Sequence, residues 1–295
     1  MNNGDYPGLF AAADAAATRA QRGFFGWLAL NLTSLTAAAG LSAYAEESGL
    51  FALLQMVTLV VGLGCTVYIE GMQPQRRWYR ARALAESVKT LAWRYVMRAA
   101  PFEGEDGSAR KRFFADIGKI VEENRDASTF AAADAGEQVT PAMERIRATS
   151  LPERIEFYRT ERIEDQHAWY VRKARQNTDT ARIWFALLVL FNVLAIGLCV
   201  VRLSPEGREF WEHTFGKWPI DFFTIAAGSV LAWMQTKRFQ ELAASYTLTA
   251  YEIGVLRADL PPKDSTESRF AHFVADAENA YSREHTQWRA RRDTE

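Results

Sequence analysis

The sequence predicts an all-α, polytopic membrane protein: two transmembrane helical hairpins, each extended by long cytoplasmic helices and a terminal amphipathic helix. Three observations predict it. Uncharged runs occupy Gly23–Ala45, Ser48–Ile69, Ile183–Val201 and Phe222–Thr236. The runs come in two pairs, and behind each pair lies a related stretch, Arg-Trp-Tyr-Arg-Ala-Arg-Ala at 77–83 and Arg-Phe-Gln-Glu-Leu-Ala-Ala at 238–244. Basic residues crowd one end of every run.

A mean hydropathy of −0.19 hides two populations, an apolar quarter and a remainder dense in Arg, Lys, Asp and Glu. A membrane span takes roughly 17–25 apolar residues at ~1.5 Å rise each. The first two runs hold 23 and 22 uncharged residues and the third 19. The fourth holds 15, about 23 Å of helix. Its flanks extend it: Trp218 anchors at the interface, Pro219 starts the helix, Asp221 suits a first turn, and Lys237 and Arg238 snorkel from the far end. The predicted spans are about 23–45, 48–72, 182–203 and 219–237. Met1–Ala20 has no basic segment followed by a short apolar core, so it does not read as a signal peptide.

Orientation follows the Lys/Arg bias. Arg19 and Arg22 precede span one, and the juxtamembrane cluster Arg76, Arg77, Arg80 and Arg82 follows span two. The loop Glu46-Glu47-Ser48-Gly49 between them has no basic residue. Arg172, Lys173, Arg175 and Arg182 precede span three, and Lys237 and Arg238 follow span four, while the loop 202–221 is mixed. Both termini and the long middle segment are therefore expected in the cytoplasm.

The cytoplasmic parts read as helices. Neither Gly nor Pro occurs between Leu84 and Ala100, so span two is expected to continue inward past a kink at Pro74. After a loop at 103–108, Phe113, Phe114, Ile117, Ile120 and Val121 share a helical face. The same grammar recurs after span four: a helix to Asp259, a break at Leu-Pro-Pro 260–262, then Phe270, Phe273, Val274, Ala277 and Tyr281. Each terminal amphipathic helix is expected to cover the extension of its own hairpin. Residues 127–149, rich in Ala, Gly, Thr and Asp, read as a linker. Ser150-Leu-Pro-Glu153 reads as a capping box opening an uninterrupted rod to Leu203, about 75 Å long. The domains are thus 9–126 and 150–292.

Arg162-Ile-Glu-Asp-Gln-His-Ala-Trp-Tyr-Val-Arg-Lys-Ala174, followed by Asn177 and a hydrophobic hairpin, resembles the SLATT family, two-transmembrane effector domains associated with SMODS nucleotidyltransferases and SLOG domains. The matching residues of this family-like segment are Glu164, Gln166, Trp169, Tyr170, Lys173 and Ala174. The first half resembles a sister subtype through its hairpin and through Trp78–Ala83. The resemblance implies a tandem SLATT protein, an effector of bacterial conflict and antiviral defence acting by pore formation and abortive infection. It implies a separate cytoplasmic sensor or nucleotidyltransferase-linked partner, no catalytic residues and no cofactor.

The residues themselves offer two readings of the span faces. Asn31, Ser34, Ala38 and Ser42 share one face of span one, and Gln55, Thr58, Gly62 and Thr66 one face of span two; Asn192 is a polar residue of span three. They form either a weakly polar pore lining or a helix-packing face, since small and hydroxyl residues serve both ends. No ionisable residue lies mid-span, which disfavours proton pumps, voltage sensors and coupled transporters. The arginines at 76, 77, 80 and 82 suit anionic headgroups, but the positive-inside rule alone places them there. His167 has Glu164 and Asp165 nearby, but Val171 holds the i+4 position that a metal pair needs. No metal site is expected. Cys65 and Cys199 lie in spans and imply no disulfide. A net charge of −1 gives no reason to expect nucleic-acid binding. The expected partners are the lipid bilayer, further copies of the chain and the cytoplasmic partner. The rival reading is a non-conducting membrane scaffold; a membrane-anchored enzyme would need a polar cluster that the sequence does not display.

Overall fold

A computed structural model describes residues 1–125 and 136–290. Among these residues there are only helices, turns and loops, with no strand. After a 3-10 turn at Asn3–Asp5 come α1 Gly8–Ser42, α2 Gly49–Met72, α3 Pro74–Val96, α4 Asp106–Glu123, α5 Pro141–Arg147 and α6 Leu151–Tyr158. A π-helical segment, Arg159–Glu164, leads into α7 Asp165–Leu203, followed by α8 Pro205–Thr214, α9 Ile220–Lys237, α10 Phe239–Ala258 and α11 Glu267–Ala290.

Three helical stretches are long and apolar enough to cross a membrane: Gly8–Ser42, Gly49–Met72 and Leu151–Leu203. The chain is an all-α membrane protein. Helix α9, with 18 residues, is not among the three.

Local chemistry sets the boundaries. Ser48 caps α2 by accepting a hydrogen bond from the Leu50 amide at 3.3 Å. At its other end Gln73 turns left-handed (φ 44°) and its amide closes on the Ile69 carbonyl. Pro74 then opens α3, so the expected kink is a full break between two helices. Arg238 (φ 52°) ends α9 by the same device, donating to the Met234 carbonyl. Both hairpins thus close on a left-handed residue. The predicted rod is present from Leu151 to Leu203, opened by Ser150, whose amide and hydroxyl both donate to the Glu153 carboxylate. Its π-helical segment was not foreseen.

The chain divides into two compact units. One comprises Met1–Arg22, Pro74–Val171 and the chain from Thr247 onward. Trp93, Tyr95, Phe102, Phe113, Tyr158 and Phe270 are fully buried in it. Helix α4 covers α3 as expected, with Phe113 against Tyr95 at 4.8 Å. Helix α11 does not cover its own hairpin's extension; it packs chiefly on α3, which follows the first hairpin. Arg94 of α3 reaches Ala275 O and Asn279 of α11, and Glu278, which interrupts the apolar stripe Phe270, Val274, Ala277 and Tyr281, is buried against Arg162 of the second lead-in. Helix α10 keeps Leu248, Tyr251 and Val255 exposed.

The stretch read as a linker lies in part outside the described residues. Its described part, 136–149, contains α5, and 136–140 runs beside the N-terminus, where Glu137 O accepts from Gly8 N (2.9 Å) and Thr140 Oγ1 donates to Asp5 O (2.7 Å). A Cβ at Gly8 would come within 2.5 Å of the Gly136 amide nitrogen, so the close approach needs glycine. The second unit comprises Gly23–Gln73 and Arg172–Tyr246.

Candidate functional site

In the apolar unit the helices interlock through the polar residues that the sequence singled out. Asn31 Nδ2 of α1 donates to the Gly62 carbonyl of α2 at 2.9 Å and to Thr66 Oγ1 at 2.7 Å. Ser34 and Ala38 are buried on the same face, and Gly62 sits against Ser34 and Leu35. On another face of α1, Thr36 and Ser229 of α9 share a hydroxyl hydrogen bond at 3.1 Å, and Gly40 lies against the Phe222 ring. Helix α9 then meets α7 through Trp233–Trp184 (5.9 Å) and Phe223–Phe191 (6.2 Å). The order of contact is α2–α1–α9–α7, so the first half meets the second where α1 packs on α9.

The remaining candidates serve their own helices. Ser42 donates to Ala39 O, Thr58 to the Gln55 carbonyl, and Asn192 to Leu188 O at 2.8 Å from an exposed position. Asn31, Ser34, Gly62 and Thr66 are brought together; Ser42, Gln55, Thr58 and Asn192 are not brought to them.

In the other unit three arginines along α5, α6 and the π-helical segment are almost wholly buried. Arg147 donates to the carbonyls of Tyr95 and Phe102 and to Asp106 (2.9 Å), and its guanidinium stacks 4.7 Å from the Tyr95 ring centre. Arg154 donates to Met97 O at 3.1 Å and pairs with Glu267 of α11. Arg162 pairs at two points with Glu278, and its guanidinium lies over Tyr281 (4.5 Å) and Trp93 (5.6 Å). Tyr158 OH donates to the same carboxylate at 2.9 Å, and Trp93 Nε1 donates to Tyr6 OH at 3.0 Å. From α3, Arg94 reaches Ala275 O and Asn279 of α11. These arginines strap the end of the first half and the C-terminal helix to the lead-in of the second.

Burial sets the electrostatics here. It pushes the Tyr6 phenol up to about 12. Tyr158 rises well above the ordinary tyrosine range through burial and the neighbouring Glu278 charge. Burial opposes the charge on Arg162, but the Glu278 carboxylate outweighs it and holds the guanidinium well above its usual range.

The families described as SMODS and SLOG-associating 2TM effector domain 3 and domain 1 match residues 7–155 and 158–288 respectively. The chain belongs to the SLATT family. It carries two SLATT domains in tandem, of different subtypes. No curated protein and no solved structure matches it.

The SLATT-like segment after Arg162 falls on the π-helical turn and the start of α7. Glu164 accepts from Arg159 at 3.0 Å, Gln166 Nε2 donates to Asp165, and Trp169 and Tyr170 sit edge to face at 4.9 Å, Tyr170 buried. The Lys173 carbonyl accepts from Asn177. Of the juxtamembrane arginines, Arg76, Arg77 and Arg80 are exposed at the start of α3, whereas Arg82 is held between Asp14 (3.0 Å) and Glu86 (2.6 Å). Among the described residues no group of three or more His, Cys, Asp or Glu is placed to hold a metal. Arg147 and Arg154 were missed by the sequence reading. A faint signal existed: together with Arg162 they recur every seven to eight residues in the sequence.

Proposed function

We propose that this SLATT protein is a multi-pass effector of a bacterial conflict or antiviral defence system. It sits in the inner membrane with both termini cytoplasmic and acts without catalysis. When a separate cytoplasmic sensor or nucleotidyltransferase-linked partner triggers it, it oligomerises into a pore or perturbs the bilayer. The observation that carries this reading is the tandem match to two-transmembrane effector domains over residues 7–288. Two such domains call for four spans, which makes α9 the fourth. A span enclosed by neighbours packs through small residues rather than lipophilic ones, and α9 buries Ala226, Ala227 and Val230. That accounts for its modest hydropathy.

The arginine straps support coupled action. Helices α1 and α7 each hold residues of both compact units.

The rival scaffold reading has one observation in its favour: the polar faces of α1 and α2 satisfy each other through Asn31, Gly62 and Thr66 instead of lining open space. Exchanging Asn31, Ser34, Thr58 and Thr66 for Leu or Ala separates the two. A pore effector loses dye release from liposomes and permeabilisation of cells after triggering. A scaffold keeps partner binding and activity with no release in either form. Absence of leakage from the triggered, assembled wild-type protein refutes the effector-pore reading.

A further inference from the structure

Between α7 and α9 the chain forms a short helix for which the spans have no use. Helix α8 has one apolar sector, made of Gly207, Phe210, Trp211 and Thr214, and an opposite sector carrying Glu206, Arg208, Glu209, Glu212 and His213. None of its residues is buried. Phe210 is 64% exposed, Phe215 beyond its end 58%, and Leu203 at the end of α7 79%. Such apolar exposure on an otherwise charged loop calls for a covering partner.

The direction of the apolar sector is fixed. Ser204 caps the helix by accepting from the Gly207 amide at 3.1 Å. A Cβ at Gly207 would lie 2.6 Å from the Val201 carbonyl, so the apolar sector is turned back toward the last turn of α7. The far end is held as well. Trp211 Nε1 donates to Lys217 O at 2.8 Å, and the Trp211 and Trp218 rings stack at 5.2 Å. The Arg202 guanidinium lies 5.8 Å over Trp218, and Lys217 pairs with Glu47 at 3.0 Å. The helix thus starts one residue after α7 and ends five residues before α9, pinned at both ends and continuous with their exposed apolar surface.

We propose that α8 is an interfacial helix whose apolar sector binds the acyl-chain boundary of the bilayer at the surface where α7 emerges, placing Phe210, Phe215 and Leu203 in lipid and the glutamates in water. The ligand is the acyl layer and not the phosphate: three glutamates face one arginine on the polar sector, which gives no net attraction to anionic headgroups. The arrangement also serves the short α9. Its 18 residues span about 27 Å against a hydrocarbon core of about 30 Å, and an interfacial helix before it lets it begin within the membrane boundary.

This rests on α7 and α9 being spans, and the test separates the two claims. In a Cys65→Ser/Cys199→Ser background, nitroxide labels are placed through Val193→Cys, Phe210→Cys, Phe215→Cys, Glu209→Cys and Glu212→Cys, with the full chain in phosphatidylcholine vesicles. Collision with oxygen is compared with collision with a water-soluble nickel chelate. The expected oxygen-to-nickel ratio at 210 and 215 is several-fold above that at 209 and 212, at a depth of about 5–10 Å, with Val193 deepest. The pattern persists when about a third of the lipid is phosphatidylglycerol. Equal nickel access at 209, 210, 212 and 215 with Val193 still deep overturns the proposal and leaves the spans standing. So does exclusion of both reagents from 210 and 215, which makes the cover protein, and so does a lipid signal that arises only with anionic lipid. Nickel access at Val193 overturns the span reading and the proposal with it.

Discussion

Arg162 and Glu278 form a two-point ion pair, Nε to Oε1 at 2.8 Å and Nη2 to Oε2 at 2.7 Å, with side chains 3% and 0% exposed. The pair joins the SLATT-like segment of the second domain to the terminal helix, at a place where Arg162 lies over Trp93 of the first and the terminal helix packs on the helix that carries Trp93. Removing one partner leaves a buried charge without compensation. Glu278→Leu or Arg162→Met alone is expected to lower stability by about 3–5 kcal/mol. The double variant is expected to lose less than the sum of the two, because neither charge is then stranded. Thermal unfolding of the detergent-solubilised protein, as a double-mutant cycle, measures this; additivity would mean that the pair is not coupled.

The raised tyrosines predict alkaline instability. A phenol whose folded pKa lies above its unfolded value stabilises the fold fully below about pH 10, and that stabilisation is lost as pH rises toward about 12, the folded value for Tyr6. Unfolding midpoints are expected to fall across this window. Tyr6→Phe is expected to flatten part of the fall while lowering neutral-pH stability by about 1–3 kcal/mol, since Trp93 Nε1 loses its acceptor. A neutral-pH stability equal to wild type would contradict the assigned hydrogen bond.

Arg147 uses its planar fork on two carbonyls and a carboxylate. Lysine presents a point charge on a flexible stem and cannot reach all three. Arg147→Lys is therefore expected to cost about 2 kcal/mol or more despite keeping the charge, whereas Lys217→Ala, at a half-exposed pair with Glu47, is expected to cost under about 1 kcal/mol. Parallel melts of the two variants check the order.

Three glycines separate by the space around them. A Cβ at Gly62 meets Leu35 and Ser34 at 3.7 Å or more, ordinary contact, so Gly62→Ala is expected to be near neutral. At Gly40 the Phe222 ring, 3.2 Å away, must give way, and at Gly8 the Gly136 backbone, 2.5 Å away, must move. The expected order of loss in yield and melting temperature is Gly62→Ala, then Gly40→Ala, then Gly8→Ala. Reversal of the first and last would refute the packing of 136–140 on the N-terminus.

The helical class, the long apolar helices, the tandem organisation and the capping box at Ser150 are all legible along the chain. Each of these is local: hydrophobicity along the chain, a repeat, a cap that reads its own third neighbour. Asn31, Gly62 and Thr66 are also legible there as polar faces, though periodicity cannot tell a lumen from a neighbouring helix. That Asn31 spends its amide on Gly62 and Thr66, that α9 lies between α1 and α7, and that α11 lies on the first domain's extension are outcomes of three-dimensional packing. The cause is the same in each case. Pattern says that a face must be covered, while the partner is chosen by long-range complementarity, as when Glu278, buried among apolar neighbours, is satisfied by an arginine 116 residues away.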